Sequence, residues 1–259
     1  MQPFSRLALT LLLAHLLGDF PLQTSAIVRA KGKGVRGYMA HGGVHFFILI
    51  LSIAIFAGIA WLSSLWFWIV ACLYIAVHLA IDRTKQAFTS RGARTDSTSI
   101  FVADQLLHGC TVVGAAWVLT RPGWSILRSE FLWSAATQEK VLEAGIVYVT
   151  VVFVGGYLIR YLTRNLTAEM GVAGETAEEV KNAGLYIGWL ERFLVVTAIL
   201  VQSPSLVGLI LTGKSIARFP ELKDRFVEYF LIGTMLSIAL AVVGGLVLVR
   251  LWYGTISLK

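Results

Sequence analysis

The feature that most restricts this chain is its succession of long apolar stretches. They run from about Leu7 to Phe20, His41 to Ala60, the turn WLSSLW to Asp82, Ile100 to Leu119, Val141 to Leu162, Ala183 to Val201, Leu206 to Ile216 and Phe226 to Leu251. Roughly twenty such residues cross a bilayer core. Backbone inside lipid must bond to itself, which leaves helices or a closed barrel. Continuous apolar runs, without two-residue alternation, select helices. Only 14% of the 259 residues are charged and 57% are hydrophobic, against about a quarter charged in soluble domains. The expectation is an all-α, polytopic, multi-pass transmembrane bundle of about seven or eight membrane helices. Pro204 in QSPS cannot sit in an unbroken helix, so residues 202–205 read as the tip of a hairpin, with a single crossing as the alternative.

The net charge of +7 does not point to nucleic acid. Arg29, Lys31, Lys33 and Arg36 fall between the first two stretches, and Arg83, Lys85, Arg91 and Arg94 between the third and fourth. Basic short loops face the cytoplasm, so these two loops are expected inside and the N-terminus outside. The expected partner is membrane lipid; oligomeric state is left open. Cys72 and Cys110 lie in apolar segments outside any C-x-x-C pattern, which indicates neither a disulfide framework nor a thiolate metal site. The first stretch lacks a small-residue cleavage site and carries His15 and Asp19, so it is expected to be kept. The chain divides into a four-helix, His/Asp-bearing bundle over 1–120 and a C-terminal set of membrane helices over 121–259. In the second part, Thr176 with Glu179 fits a capping box and predicts a short cytoplasmic helix near 175–183.

All five histidines belong to pairs spaced four apart: HLLGD (His15, Asp19), HGGVH (His41, His45), HLAID (His78, Asp82) and DQLLH (Asp104, His108). Residues four apart share a helix face. The pairs lie at the ends of the first and third stretches and the starts of the second and fourth. An up-and-down bundle brings those ends to one side and one depth, and bundle cores lined this way build metal sites.

Imidazole with carboxylate suits Zn²⁺ or Mn²⁺ as well as Fe²⁺. A carboxylate buried in a membrane is costly unless paired or bound to a cation. Eight candidate ligands (His15, Asp19, His41, His45, His78, Asp82, Asp104, His108) exceed one tetrahedral ion and suffice for two. Two ions together clamp a phosphoryl group and activate water. Asp19, Asp82 and Asp104 are the candidate general bases, and Gln23 and Gln105 the candidates to orient imidazoles from behind. The expected function is a metal-dependent hydrolase acting near the cytoplasmic leaflet on a lipid or other amphipathic phosphoester. A divalent-metal or proton transporter using the same cluster is the alternative, and the few polar residues in the outer halves of the spans argue against it. A metal-free polar network is the plain reading. HGGVH also matches an element of di-iron membrane oxygenases, but the H-x-x-H-H elements of those proteins are missing.

A second polar group lies in GLYIGWLERF and KSIARFPELKDRFVEYF. Glu191, Arg192, Lys214 and Arg218 are candidates for holding an anionic substrate group, since guanidinium and ammonium suit phosphate. Glu221, Asp224 and Glu228 equally suit pairing with those cations, and basic residues beside a membrane helix commonly anchor it to headgroups.

Together, HLLGDFPLQ, DQLLH, IGWLER and KSIARF-x-ELKDR-x-x-EYFLIGT resemble the bacterial membrane family called domain of unknown function 3307, across nearly the whole chain. The resemblance implies a helical protein embedded, multi-pass, in a bacterial inner membrane, and fixes no activity. The His/Asp pairs also resemble, more weakly and over the first four helices alone, the predicted inner-membrane metal-dependent hydrolases, which implies hydrolysis by analogy.

Overall fold

The computed structural model describes residues 3–91, 97–121, 134–169, 178–218 and 226–254. Every regular element among them is helical, with no strand. The helices are α1 (Pro3–Asp19), α2 (Ser25–Lys33), α3 (Val35–Ser52), α4 (Leu65–Arg91), α5 (Thr98–Leu119), α6 (Ala135–Val149), α7 (Gly155–Glu169), α8 (Glu178–Leu200), α9 (Ser205–Arg218) and α10 (Phe226–Tyr253). A π-helical turn (Ile53–Gly58) and a 3₁₀ turn (Ile59–Ser63) prolong α3, and a second π-helical turn (Thr150–Val154) joins α6 to α7.

Among the described residues, five helical stretches are long and apolar enough to cross a membrane: Val35–Ser63, Leu65–Thr89, Thr98–Leu119, Ala136–Thr163 and Leu231–Tyr253. Seven or eight were expected, and three further helices stand outside this count. α1 has 17 residues and α9 has 14, and α8 opens on the polar run EEVKN and carries Glu191 and Arg192 midway. Residues 178–183 are the first turns of α8, continuous with the rest of that helix. Thr176 of the expected capping box lies outside the described residues.

Packing divides the chain into two compact units, Met1–Ile146 and Val147–Lys259, whereas the sequence reading placed the division at 120. In the first unit α1 packs on α3, on the π-helical turn and on α5, and α4 packs on α3 and α5. Leu7, Leu11, Leu13, Ala14 and Leu16 of α1 are all buried, so this short helix is covered by its neighbours. Leu7 and Leu11 meet Leu49, Ile53, Phe67, Tyr74, Val112 and Ala116 in one core. Outward positions on the surrounding helices stay apolar and exposed, among them Phe47, Ile69, Leu73, Leu106 and Trp117, as a lipid-facing surface requires.

α2 is a nine-residue helix with no buried residue. Thr24 caps it, accepting from the Ile27 amide at 3.4 Å, and Gly34 ends it at φ 132°, a backbone geometry that favours glycine. The chain then folds back so closely that a Cβ at Gly37 would collide with the Ala30 carbonyl.

In the second unit α10 packs on α8 and α7. α8 ends in a left-handed residue, Gln202 (φ 57°). The Ser203 amide donates to Ala198 O at 2.8 Å and the Gln202 amide to Ile199 O at 3.0 Å, the bond pattern of a Schellman stop. Pro204 then precedes α9, where its fixed φ and missing N–H do no harm. α8 and α9 fold back on one another as a hairpin, with Lys214 meeting Glu191 at 2.6 Å across it.

Two glycines let α10 approach its neighbours. A Cβ at Gly244 would strike Val151, and one at Gly245 would lie 2.6 Å from Ile199 Cβ, whereas Gly233 on the same helix has open space around it. Gly245→Ala should therefore cost about 1–3 kcal/mol through overpacking. Gly233→Ala should be neutral or gain up to about 1 kcal/mol from helix propensity. Thermal unfolding of the two variants in detergent, followed by circular dichroism, checks the contrast.

Candidate metal centre

The four i,i+4 pairs sit where helix geometry delivers them to a common interior. His15 and Asp19 close α1, while His41 and His45 lie in the second and third turns of α3. His78 and Asp82 belong to α4, and Asp104 and His108 to the early turns of α5. α4 does not end at Asp82 as its apolar run suggested; it continues to Arg91. That extension places Lys85 and Gln86 next to the cluster. The five histidines and Asp104 are buried, and the side chains of Asp19 and Asp82 are only 8% and 9% exposed.

The Asp19 carboxylate is the hub. Its Oδ1 lies 3.0 Å from His45 Nε2, 3.2 Å from His41 Nε2 and 3.4 Å from His78 Nε2, and its Oδ2 lies 3.5 Å from His15 Nε2. Asp82 Oδ2 is 3.3 Å from His41 Nε2 and 3.9 Å from His78 Nε2, and Asp82 Oδ1 is 3.8 Å from His108 Nε2. Asp104 Oδ1 is 3.7 Å from His108 Nδ1, which also bonds the Asp104 carbonyl at 2.9 Å. Ring centroids of neighbouring imidazoles stand 4.1–5.9 Å apart.

Three overlapping sets each place their donor atoms within 4.8 Å of one another: His15, Asp19, His45 and His78; Asp19, His41, His78 and Asp82; and Asp82, Asp104 and His108. Together they contain all eight residues singled out by their spacing. All lie in the first unit.

Glycines make room for this crowding. A Cβ at Gly18 of HLLGD would lie 2.5 Å from His45 Cε1, and one at Gly42 of HGGVH 2.9 Å from Leu79 Cδ1. Each therefore sits where a neighbouring helix's side chain needs the space.

Hydrogen bonding within the protein does not settle these groups. His41 Nε2 faces Asp19 Oδ1, Asp82 Oδ2, His78 Nε2 at 3.2 Å and the Gln23 amide at 3.3 Å, yet one ring nitrogen carries at most one proton. Both ring nitrogens of His15, Nδ1 of His41 and His78, Nε2 of His108 and Oδ1 of Asp104 are buried without a hydrogen-bond partner. Buried polar groups are ordinarily satisfied. The donor set, imidazole with carboxylate, is the one that Zn²⁺ and Mn²⁺ take, so these residues fit a divalent cation.

Gln23 and Gln105 take different places. Gln23 reaches His41, whereas Gln105 donates to Asp104 Oδ2 at 3.1 Å and bonds no imidazole among the described residues. Two lysines escaped the sequence reading, which used them only for loop charge. Lys31 of α2 is ion-paired with Asp82, and Lys85 with Asp104 at 2.9 Å. Tyr38 donates to Gln86 beside them. Tyr74, four residues before His78, is also buried, with its hydroxyl unbonded. Its spacing from His78 was the available signal.

The second set of candidates lies in the second unit. Arg192 is buried. Its Nε and Nη2 donate to Val152 O at 3.1 and 2.8 Å, and its Nη1 to Ser237 Oγ at 3.1 Å. Val152 belongs to the π-helical turn, whose irregular bonding releases carbonyls, so Arg192 ties that turn to α8 and α10. Glu191 pairs with Lys214. The side chains of Arg218 and Glu228, and residues Glu221, Asp224 and Arg225, lie outside the described residues.

A helical protein with several spans of membrane length and a buried His/Asp cluster between four of its helices is the class that fold and site define. Residues 7–133 match the family model described as protein of unknown function (DUF3307), and this region of the chain belongs to that family. The match takes in all four pairs and ends before the C-terminal motif. No curated protein and no solved structure matches the chain.

The bonds of Arg192 define a test. Arg192→Lys keeps the charge but loses the forked donation to Val152 O, and leaving that buried carbonyl short costs about 1–3 kcal/mol. The variant should melt earlier in detergent while its metal content, measured by mass spectrometry of the purified protein, stays that of the parent.

Proposed function

We propose that the chain is a multi-pass protein of a bacterial inner membrane, with seven or eight spans, that uses its His/Asp cluster as a divalent-metal centre for hydrolysis near the cytoplasmic leaflet. The observation that carries this reading is the meeting of five imidazoles and three carboxylates from four helices, several of their atoms buried and unbonded. The substrate class that fits is a lipid or other amphipathic phosphoester. The likeness to inner-membrane metal-dependent hydrolases points the same way by analogy.

Zn²⁺ or Mn²⁺, as one or two ions, would be held by His15, Asp19, His41, His45, His78, Asp82, Asp104 and His108. Such an ion supplies Lewis acidity, polarising a phosphoryl oxygen and making water acidic enough to ionise near neutral pH. The three aspartates take different tasks. Asp19, ringed by four imidazoles, holds and orients them. Asp82 divides its oxygens between His41 and His78 on Oδ2 and His108 on Oδ1, and Lys31 adds its charge at Oδ2. Asp104 keeps Oδ1 unbonded while Lys85 and Gln105 hold Oδ2, so Asp104 Oδ1 is the atom best placed to take a proton from attacking water.

The transport alternative needs a polar path away from the cluster. The core of this unit is instead filled by Leu7, Leu11, Leu49, Ile53, Phe67, Val112 and Leu119, and the buried Thr10 hydroxyl is spent on Arg6 O at 2.8 Å. This supports hydrolysis over conduction.

The full chain purified in detergent should contain one or two equivalents of zinc or manganese. A chelator should abolish release of phosphate from a short-chain phosphatidic acid, and the added metal should restore it. The double variant His41→Ala, His45→Ala should lose both metal and activity. A metal-free preparation in which that double variant behaves as the parent would falsify the proposal.

Gly18→Ala gives a gentler test, because every ligand remains. The added methyl pushes against the His45 ring, and displacing the support of a ligand typically costs about 10–100-fold in metal affinity. Titration of the apo-protein with zinc against a competing chelator reads this directly.

A further inference from the structure

A cavity of about 400 Å³ lies on the outer side of the Lys31–Asp82 pair. Lys31, Lys33 and Arg83 line it together with Tyr38 and Gln86, and the backbone of Gly32–Gly34 forms one wall. Neither Lys33 nor Arg83 has a carboxylate partner among the described residues, and Lys31 is paired with Asp82 alone. The cavity thus holds two uncompensated positive charges. Arg83 directly follows Asp82, so on α4 the two side chains diverge by about 100°: Asp82 turns to the imidazoles and Arg83 to the cavity. Lys31 belongs to both, with its Nζ paired with the carboxylate and 5.7 Å from the centroid of the Tyr38 ring. The apolar side chains of Val35, Met39 and Phe88 are exposed on the same two helices.

We propose that this cavity binds the phosphate group of an anionic amphiphile and holds it beside Asp82. The inference deepens the hydrolase reading and rests on it for the identity of the ligand as a substrate. It also moves the anion-holding role from the second-unit cations to residues within the unit that bears the cluster. Guanidinium and ammonium groups donate charge-assisted bonds to phosphate oxygens. Gly34 and Gly37 fix the place of α2, and so of Lys31 and Lys33, because the chain reverses at the first and packs without a side chain at the second. The exposed apolar residues on α3 and α4 offer acyl chains a surface that inorganic phosphate does not need.

The test uses the full chain in a neutral detergent with excess chelator, so that binding is read without metal or turnover. The probes are dioctanoyl phosphatidic acid, inorganic phosphate and uncharged dioctanoylglycerol, measured by calorimetry. Phosphatidic acid should bind and dioctanoylglycerol should not. The double variant Lys33→Gln, Arg83→Gln should weaken phosphatidic acid at least about tenfold, since each charged hydrogen bond is worth about 1.5–3 kcal/mol. Arg36→Gln, on the exposed start of α3 outside the cavity, should change it less than about twofold, within the worth of a solvated charge. Competition by inorganic phosphate at similar concentration would make free phosphate a sufficient ligand; binding of the amphiphile alone would assign the site to headgroups. Either result supports the cavity. Unchanged binding in the double variant, or an equal loss in Arg36→Gln, would overturn it and leave only general attraction to anionic surfaces. Zinc content of the double variant should equal that of the parent. Binding without any hydrolysis would sink the catalytic reading and leave the pocket standing, whereas hydrolysis with an unaltered KM in the double variant would do the reverse.

Discussion

The first unit is organised around one carboxylate, that of Asp19. It stands at the end of a helix whose other buried residues are almost all aliphatic, and four imidazoles lie within 3.5 Å of its two oxygens. A charge withdrawn this far from water is expensive unless it is paired. The cost explains much of what surrounds it. α1 is enclosed by α3, α4 and α5, each of which contributes imidazole or carboxylate to the same interior. Gly18 and Gly42 give up their side chains so that the helices can close. Lys31 shares Asp82 Oδ2 with His41 and His78, and Lys85 sits on Asp104 Oδ2, so two cations add to what the imidazoles offer these carboxylates. Cluster and fold are therefore one construction: the apolar core holds the helices together, and the cluster sets where along their lengths they meet.

Much of that cluster was legible in the sequence because it is periodic. Spacing of four on a helix is rigid geometry, and the alternation of pair positions between ends and starts follows from antiparallel neighbours. All eight residues are brought together as their spacing foretold. The lysines were not legible in the same way. Lys31 and Lys85 looked like any loop cations beside a membrane helix, and only the close return of α2 onto α3 and the continuation of α4 past Asp82 turn them inward. Helix ends are decided by caps and tertiary contacts as well as by hydropathy, so the apolar run ending at Asp82 concealed nine further helical residues.

The second unit shows the opposite limit. IGWLER attracts attention because a charged pair inside an apolar helix suggests chemistry. Its arginine instead answers a backbone demand: the π-helical turn at Thr150–Val154 leaves Val152 O in need of donors, and the guanidinium supplies two. No periodicity announces a π-helical turn thirty-eight residues earlier in the chain. Glu191 and Lys214 likewise join the two arms of the hairpin. Cations that a sequence reader assigns to substrate can thus be consumed by the fold, and only their bonding partners distinguish the two uses.

The same criterion separates the residues left for chemistry in the first unit. A side chain serving the fold spends its donors on it, as Arg192 does on Val152 O and Ser237 Oγ and Thr10 does on Arg6 O. In the cluster, the unbonded atoms are concentrated on imidazole nitrogens and on Asp104 Oδ1, while the neighbouring Asp104 Oδ2 has two donors. That asymmetry within one carboxylate matters. A purely structural network would gain by sharing donors between both oxygens, whereas a group that must exchange protons needs one oxygen held and the other open. Outside the cluster, Lys33 and Arg83 repeat the pattern with opposite sign, as cations without a carboxylate partner among the described residues, beside the Lys31–Asp82 pair. Incomplete bonding, on both sides of the Lys31–Asp82 pair, is the physical feature that the proposed metal centre and the proposed phosphate cavity share.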